Sequence, residues 1–308
     1  MIAIGIDIGG TRTKIGLVNL EAGQVLKTLI FPTETKDARR FEQILGEAIH
    51  DLKIKAYQLD TQPVGIGIGV SSFVFDDGTV DSTYGFMEFM EDYPLAKIIK
   101  KTHDLPCLID NDVRLIALGE ALFGKGKGFN RVLVLTLGTG LGVGFVINQK
   151  LDGKLPFGHM AGHISIIQNG IKCYCGKIGC LESLVSATGI LNAAQRINWR
   201  EKSPTSPLTV EEIFKSSETG NEEAKQIFDT FIQHLKTGIS NYINLYAPDK
   251  IILGGGVAKG LKKHLHLLHE ETLLGPFKKY KTSIEISELE EQAGILGSAA
   301  LFLSPKSE

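Results

Sequence analysis

The chain has little that would direct it to a membrane or to nucleic acid. Its 33 basic and 35 acidic residues leave a net charge of −2, so no basic surface for nucleic acid or an acidic membrane is expected. Apolar runs such as residues 132–135 are far shorter than the roughly 20 residues that span a bilayer. The N-terminus has no basic stretch, and Asp7 interrupts its apolar start, which argues against a signal peptide. These absences predict a cytoplasmic protein with neither membrane nor nucleic acid as a partner.

Cysteine is also scarce, and three of the four cysteines lie within eight residues. Cys173, Cys175 and Cys180, with His163 upstream, offer three thiolates and one imidazole. That is a complete tetrahedral ligand set for Zn²⁺. The alternative is three free buried thiols. Because the protein would supply all four ligands, no position is left for water, and the predicted zinc is structural rather than catalytic.

Glycine, by contrast, is abundant, and it marks turns in a chain long enough for two domains. The 308 residues are about twice the ~150 expected of one domain, and 35 glycines with 43% hydrophobic residues are typical of an α/β protein. The glycine- and lysine-rich residues 124–128 are the candidate boundary. We therefore predict an N-terminal domain over residues 1–123 and a C-terminal domain over residues 124–292. Within the second domain, the apolar spacing predicts one helix over residues 181–198.

Two glycine hairpins stand at related positions in these two domains. Residues 4–19 (IGIDIGGTRTKIGLVN) and 133–148 (LVLTLGTGLGVGFVIN) both run strand, small-residue turn, strand. Two explanations of this similarity are open: any two glycine hairpins look alike, or one domain arose by duplication of the other. Such turns present backbone N–H groups to phosphate oxygens, and Asp7 can hold a Mg²⁺ that bridges the phosphates. A third glycine cluster follows a strand. Standing alone it would more simply be a strand-to-helix turn, but together with the two hairpins it strengthens the prediction of a nucleotide site. The predicted ATP and Mg²⁺ contacts are Asp7, Gly9, Gly10, Thr11, Gly138, Thr139, Gly140, Gly254, Gly255 and Gly256.

A run of polar residues closes the predicted strand that precedes residue 113. Asp112 is well placed as the N-cap of the next helix, an ordinary role for aspartate. A carboxylate in the same place can also accept the proton of a hydroxyl during phosphoryl transfer. Asn111 beside it offers both a donor and an acceptor, which suits vicinal sugar hydroxyls.

Taken together, these motifs resemble the ROK family (repressors, open reading frames and kinases) of the actin and sugar-kinase superfamily. The resemblance covers essentially the whole chain. It rests on residues 7–11 (DIGGT), 110–120 (DNDVRLIALGE), 137–144 (LGTGLGVG), 173–182 (CYCGKIGCLE) and 253–257 (LGGGV).

The resemblance implies an α/β fold of two actin-like (ribonuclease H-like) domains with an interdomain cleft. The last helix, within about residues 293–308, would pack back on the N-terminal domain. The implied activity is that of an ATP:sugar phosphotransferase, similar to hexokinase or glucokinase, which transfers the γ-phosphate of MgATP to a hexose, usually at C6. Many relatives are homodimers, and a homodimer is expected here.

The same resemblance assigns roles to individual residues. Asp112 is the implied base, and Asn111 and Asp112 hold ring hydroxyls. The residues Gly254 to Gly256 lie against adenosine. The Cys₃His site is implied to hold zinc and to brace a sugar-contacting loop, with His163 turning its other ring nitrogen to the sugar. Glu182 is the implied contact to hydroxyls near C1 and C2; from its position alone it could equally be an ordinary solvated glutamate at a helix start.

Departures from the family pattern cluster around the sugar. Met160 replaces a glutamate that usually binds near C1 and C2, and it cannot accept a charge-assisted hydrogen bond. His159 beside it is either a substitute or an exposed loop residue. Arg114 stands where asparagine is usual. Met160 with Phe86 would accept a bulkier or less polar substituent at C1 or C2. We therefore expect an amino sugar, an N-acetylated sugar, an epimer or a modified glucose rather than plain glucose.

Two other functions compete with the kinase. DNA-binding members of the family carry a helix-turn-helix before the first hairpin, and the six residues before Asp7 leave no room for one. The second alternative is a catalytically weak, sugar-binding sensor without a DNA-binding domain. The retention of Asp7, Asn111, Asp112 and both hairpins favours the kinase.

Overall fold

The computed structural model describes residues 1–75, 77–83, 87–151, 156–199, 207–275, 277 and 279–303, with the backbone alone for residues 156–159, 271 and 272. Helices and strands alternate, so the predicted α/β class is confirmed. The strands are β1 (Ile2–Ile8), β2 (Arg12–Asn19), β3 (Gln24–Pro32), β4 (Pro63–Val70), β5 (Phe73–Val74), β6 (Val80–Asp81), β7 (Cys107–Asn111), β8 (Arg131–Leu137), β9 (Leu141–Ile147), β10 (Lys150–Leu151), β11 (Lys250–Gly254) and β12 (Ser283–Ile286).

The helices range from single turns to seven turns. They are α1 (Ala38–Tyr57), α2 (Leu95–His103), α3 (Asp112–Phe123), α4 (Glu182–Val185), α5 (Ala187–Arg196), α6 (Val210–Glu218), α7 (Glu222–Tyr246), α8 (Gly255–Gly260), α9 (Glu271–Leu274) and α10 (Gln292–Ala300). Three 3₁₀ segments, Glu88–Met90, Pro156–His163 and Leu261–Leu268, lie between them. Within the described ranges, no helix has the length and apolar character needed to cross a bilayer.

The chain divides into two compact units. The first unit contains Met1–Asn130, Gly144–His159 and Glu288–Glu308, and the second contains Arg131–Val143 and Met160–Ser287. The division passes through β9.

The first unit is built on a five-stranded sheet of order β3-β2-β1-β4-β7. Strands β1, β2 and β3 form an antiparallel meander, and β4 and β7 run parallel to β1. Every residue of β1 is buried, as its continuous apolar sequence requires of a central strand. Because β1 and β7 are parallel to β4, Asp7 and Asn111 stand toward the same edge of the sheet.

The last helix, α10, packs against β1, β4 and α3 of the same unit, at a distance that only glycines allow. A Cβ atom at Gly67 would lie 1.8 Å from the carbonyl oxygen of Ser298, and one at Gly297 would lie 1.7 Å from that of Leu115. Side chains at these positions would drive the backbones apart. Residues from both ends of the sequence therefore complete one core.

The second sheet has the order β10-β9-β8-β11-β12, with β8, β11 and β12 parallel. This order repeats that of the first sheet. In each sheet three strands that are consecutive in sequence lie side by side, and two later strands are added next to the first of the three. The repeat supports duplication as the reason why the two glycine hairpins look alike.

One helix of the sequence-based prediction is two helices in the structure. The segment 181–198 breaks at Ser186, which is extended (ψ 165°) and caps α5 by accepting a hydrogen bond from the backbone N–H of Gly189 at 3.1 Å. Apolar spacing continues through the break, so periodicity alone misses it. The break places the start of α5 beside the second hairpin, where the Ala187 N–H donates to the carbonyl of Gly138.

Candidate functional site

The first glycine hairpin, between β1 and β2, holds two adjacent backbone donors ready for a ligand. The turn is closed by a hydrogen bond from Gly9 N–H to the carbonyl of Arg12, and Thr33 bonds to the carbonyls of Gly9 and Thr11. Within the part of the chain that the structure describes, the N–H groups of Gly10 and Thr11 have no acceptor. Two neighbouring free N–H groups can bind an anion such as a phosphate oxygen.

Lys14 is a residue of this hairpin that the sequence-based prediction missed. The register of β1 and β2 pairs Asp7 with Lys14, and the Lys14 Nζ lies 3.4 Å from the Asp7 Oδ2. Counting outward from the turn would have placed the two residues opposite each other, since cross-strand neighbours interact directly. The lysine offers a positive charge where the open N–H groups already favour an anion.

Asp112 is half-buried close to Asp7, and its pKa is raised to about 7, first by desolvation and then by the charge of Asp7. Hydrogen bonds from the Val113 N–H, at 2.8 Å, and from Ser71 oppose that shift without cancelling it. Burial also raises the pKa of Asp7, although Lys14 lowers it. Two neighbouring carboxylates whose charges repel each other favour a bound cation, so the donor chemistry here fits a Mg²⁺.

Asn111, rather than Asp112, is the N-cap of α3, so the N-cap interpretation of Asp112 is wrong. The Asn111 Oδ1 accepts hydrogen bonds from the N–H groups of Val113 (3.0 Å) and Arg114 (3.2 Å), and Asp112 is the first helical residue. The Asn111 Nδ2 donates to the carbonyl of Ser72 at 3.0 Å. The side-chain oxygen of Asn111 is already used by the two capping hydrogen bonds, and one amide hydrogen by Ser72. Asn111 can therefore offer a ligand one amide hydrogen, and not the donor and acceptor that the sequence predicted.

The second hairpin, between β8 and β9, has the same open donors as the first. Its turn is closed by a hydrogen bond from Gly138 N–H to the carbonyl of Gly140, and Thr188 donates to the carbonyl of Thr139 at 2.8 Å. In the described ranges, the N–H groups of Thr139 and Gly140 lack an acceptor. Each unit therefore presents one hairpin suited to phosphate oxygens.

Glu182 is tied to this hairpin rather than solvated. Its side chain is 10% exposed, and its Oε2 accepts a hydrogen bond from the Leu141 N–H at 3.1 Å. Its Oε1 lies 3.8 Å from the His163 Nδ1. The carboxylate therefore joins the hairpin to the Cys₃His cluster of the same unit.

Replacement of Gly140 by alanine should disturb this link. A Cβ atom at Gly140 would lie 2.8 Å from the Glu182 Oε2, so the carboxylate must leave the Leu141 N–H. We expect Gly140→Ala to lower the free energy of unfolding by about 1–2 kcal/mol, measured by urea denaturation. Gly138→Ala is the matched control: nothing lies within 4 Å of its Cβ, and its effect should stay within about 0.5 kcal/mol. Equal effects of the two changes would contradict the proposed contact.

The third glycine cluster begins helix α8, as the simpler interpretation held. Gly254 is its N-cap, and Gly255 has φ +87°, a conformation that glycine favours. A Cβ atom at Gly255 would also lie 2.4 Å from the carbonyl oxygen of Leu137, whereas Gly256 has nothing within 4 Å. Gly255 is thus needed for the turn, and Gly256 leaves an open surface at the start of the helix.

The four predicted metal ligands come together. One ligand atom from each of His163, Cys173, Cys175 and Cys180 lies within 4.8 Å of all the others. The Cys175 and Cys180 sulfurs are 3.7 Å apart, and the Cys173 sulfur is 3.5 Å from the His163 Nδ1. Ligands about 2.3 Å from a tetrahedral zinc lie about 3.8 Å from each other, so the donor set and its spacing fit Zn²⁺.

Tyr174, between two of these cysteines, is the second residue that the sequence-based prediction missed. Its hydroxyl lies 3.2 Å from the His163 Nε2, and the rings meet edge to face with centroids 5.2 Å apart. Burial and then the charge of Glu182 raise the pKa of this hydroxyl, so it stays protonated. No sequence pattern predicts such a contact, because a tyrosine between two metal ligands can point toward the cluster or away from it.

The residues that depart from the family pattern differ in where the structure places them. Arg114 is buried, and its Nε donates to the Asp110 Oδ1 at 2.8 Å, which ties helix α3 to the end of strand β7. Met160 is half-buried in the 3₁₀ segment that ends at His163. Phe86 and the side chain of His159 lie outside the described residues.

Comparison with known proteins gives a consistent result. Residues 3–304 match the sequence profile of the ROK family. The chain is 29% identical to a glucokinase of Halalkalibacterium halodurans, over 97% of this chain and 94% of the relative. It is 27% identical to a xylose repressor of Caldicellulosiruptor bescii, over 98% of this chain and 78% of the repressor.

A solved structure agrees with this match. The ROK family glucokinase of Streptomyces griseus, in complex with glucose and AMPPNP, superposes with a TM-score of 0.80 at 26% identity, over 98% of this chain and 99% of the other. The predicted actin-like, ribonuclease H-like fold is thereby confirmed.

Proposed function

The chain belongs to the ROK family, and on this basis we propose that it is an ATP-dependent kinase of a hexose or hexose derivative. The observation that carries the proposal is the half-buried carboxylate of Asp112 beside Asp7, whose pKa of about 7 makes it a base at neutral pH. Glucokinases among the relatives support the same activity.

Each hairpin is proposed to bind phosphate oxygens of a nucleotide with the donors of its own unit. Open N–H groups of Gly10, Thr11, Thr139 and Gly140 donate to phosphate oxygens, and Gly9 and Gly138 shape the two turns. Asp7 holds the Mg²⁺ directly or through water, and Lys14 adds a positive charge. The adenosine would lie against the start of α8, at Gly254, Gly255 and Gly256.

When bound, MgATP supplies the phosphoryl group. Asp112 accepts the proton of the sugar hydroxyl, proposed to be that on C6, as its oxygen bonds to the γ-phosphorus and the bond to ADP breaks. The remaining Asn111 amide hydrogen positions a ring hydroxyl. His163 and Glu182 are proposed as contacts near C1 and C2, and the Cys₃His site is proposed to hold structural zinc. The homodimer and the cytoplasmic location stay predictions.

The substrate is proposed to be an amino sugar, an N-acetylated sugar, an epimer or a modified glucose rather than plain glucose, because Met160 offers no charged acceptor near C1 and C2. The test panel consists of glucose, mannose, allose, glucosamine and N-acetylmannosamine. Phosphorylation of each sugar is assayed by coupling ADP release to NADH oxidation. We expect a sugar other than glucose to have the highest kcat/KM. Glucose as the best substrate would refute this choice of sugar while leaving the kinase intact.

A sugar-binding regulator without turnover is the second candidate, favoured by the similarity to a xylose repressor. The two candidates differ in one observable. A regulator would bind a sugar in calorimetry and release no ADP above background with any of the five sugars, whereas a kinase would do both.

A further inference from the structure

Asp110, near the end of β7, connects a charged side chain of helix α3 to the backbone beside the proposed base. Its Oδ1 accepts hydrogen bonds from the Arg114 Nε at 2.8 Å and from the Asn111 N–H at 2.7 Å. The side chains of Arg114 and Asp110 are only 10% and 19% exposed. Solvent screens such a pair little, and hydrogen bonds between ionised groups are among the strongest in proteins. One carboxylate oxygen therefore holds both the arginine and the backbone of the cap residue.

The hydrogen bonds continue from Asn111 to the proposed base. The Asn111 Oδ1 accepts from the N–H groups of Val113 and Arg114, and its Nδ2 donates to the carbonyl of Ser72. Asp112 therefore lies between two residues whose backbones are held. A base must lie within hydrogen-bond reach of the proton that it takes, and a displacement of about 1 Å can cost about 100-fold in rate. The backbone at Asn111 thus decides where the carboxylate of Asp112 stands.

Asp110 holds the Asn111 N–H only while its own carboxylate keeps its orientation. Arg114 fixes that orientation, because its planar guanidinium donates in a set direction from a helix. Without the arginine, the largely buried carboxylate would carry an uncompensated charge, which favours its protonation or its rotation toward solvent. Asparagine, usual at position 114 in the family, is uncharged and shorter, so it would not form this ion pair.

We propose that Arg114 is a positioning residue: through Asp110 it holds the backbone at Asn111 and so directs the carboxylate of Asp112 at the sugar hydroxyl. The inference rests on the proposed function, since it takes Asp112 as the base. It gives Arg114, a departure from the family pattern, a role in the chemistry rather than in the choice of sugar.

A double-mutant cycle isolates this ion pair from every other contact of the arginine. Arg114→Met keeps an unbranched stem without N–H groups, and Asp110→Asn keeps an acceptor oxygen without the charge. The single variants, the double variant and the unaltered protein are compared by kcat, by sugar Kd and by the Kd of a non-hydrolysable ATP analogue. The sugar is the best of the test panel, and the number of analogue molecules bound per chain corrects kcat for unfolded protein.

Each single change should lower kcat about 10- to 100-fold, while the Kd of the ATP analogue changes less than about threefold. The double variant should be no slower than the slower single variant, whereas independent effects would multiply. Arg114→Lys, which restores the charge, should recover kcat to within about fivefold of the unaltered protein.

Arg131→Met is the matched control for the loss of an ion pair. The Arg131 Nη2 lies 2.6 Å from the Asp249 Oδ1, at the end of β8 away from the second hairpin. Its replacement should leave kcat within about twofold, whatever it does to the Tm. A merely structural role for Arg114 would give this same pattern.

An unchanged kcat in Arg114→Met, or single effects that multiply in the double variant, would overturn the proposal. Should Arg114→Met fail to fold, the double variant leaves no charge unpaired, and a kcat more than about tenfold below that of Asp110→Asn would be equally decisive against it. If the unaltered protein binds sugar without releasing ADP, the kinase is refuted, and the sugar Kd decides instead. That Kd should then rise about five- to tenfold in Arg114→Met, and an unchanged value would contradict the positioning role. No binding of any sugar would refute both.

Discussion

Asp112→Asn should abolish most of the phosphoryl transfer and make the protein more stable. An asparagine cannot accept the hydroxyl proton, so kcat should fall by about 10²–10⁴-fold. Binding of a non-hydrolysable ATP analogue, measured by calorimetry, should change by less than about threefold, because the proposed phosphate donors are backbone N–H groups.

The gain in stability follows from the raised pKa of Asp112. The carboxyl has a pKa of about 7 in the fold against an ordinary value of 3.8, so its ionised form is disfavoured by folding. The penalty is absent below pH 4, where both states are protonated, and complete above pH 7, where both are ionised. Removing the charge should therefore raise the free energy of unfolding by about 2–4 kcal/mol at pH 8 and by almost nothing at pH 4.

The same pKa predicts the pH dependence of the proposed kinase activity of the unaltered protein. Below pH 7 the fraction of ionised Asp112 falls, and kcat/KM should fall about tenfold for each further pH unit. Asp51→Asn, on the exposed face of α1, is the control and should alter neither stability nor rate. If Asp112→Asn turned over at the original rate, or lost stability at pH 8, the assignment of the base would be refuted.

Removal of the metal should lower the stability of the protein before it lowers the rate of phosphoryl transfer. Metal analysis should find one Zn²⁺ for each chain. Because binding free energy at a structural site is folding free energy, a chelator should lower the Tm markedly, and Cys180→Ser should cost at least about 3 kcal/mol. Cys180 is fully buried, so its loss cannot be compensated from the surface.

Cys107→Ser is the matched control for the metal site. Cys107 is the fourth cysteine of the chain and lies in β7, outside the cluster. Metal analysis under the same conditions should find that the serine variant keeps its zinc. An unchanged Tm after complete removal of zinc would show that the metal does not stabilise the fold.

The parts of the site that the sequence predicted are those with a chemical or geometric signature. Glycine turns after apolar strands predict hairpins, and three cysteines close to a histidine predict a metal site, because few other sequences serve these purposes. The contact between Asp7 and Lys14 was within reach as well, since strand register follows from the turn.

Other parts depend on the backbone at single residues. Asn111 and Asp112 are equally good caps, and only the extended conformation of Asn111 (ψ 140°) decides between them. The break at Ser186 is hidden because apolar residues continue on both sides. Tyr174 meets His163 because the chain turns tightly after Cys173, where Gly176 N–H bonds back to the Cys173 carbonyl. Such local turns are set by tertiary context.

The glycine contacts of α10 have a consequence for biosynthesis. The ribosome makes β1 first, yet Gly67 and Leu115 meet their partners only when Gln292–Ala300 has been synthesised, after every residue of the second unit. Vectorial folding therefore completes the second unit first, and the nascent chain carries the apolar surface of the first sheet until the end of translation. During that interval the emerging polypeptide exposes apolar surface that the completed fold covers, and such surface promotes aggregation.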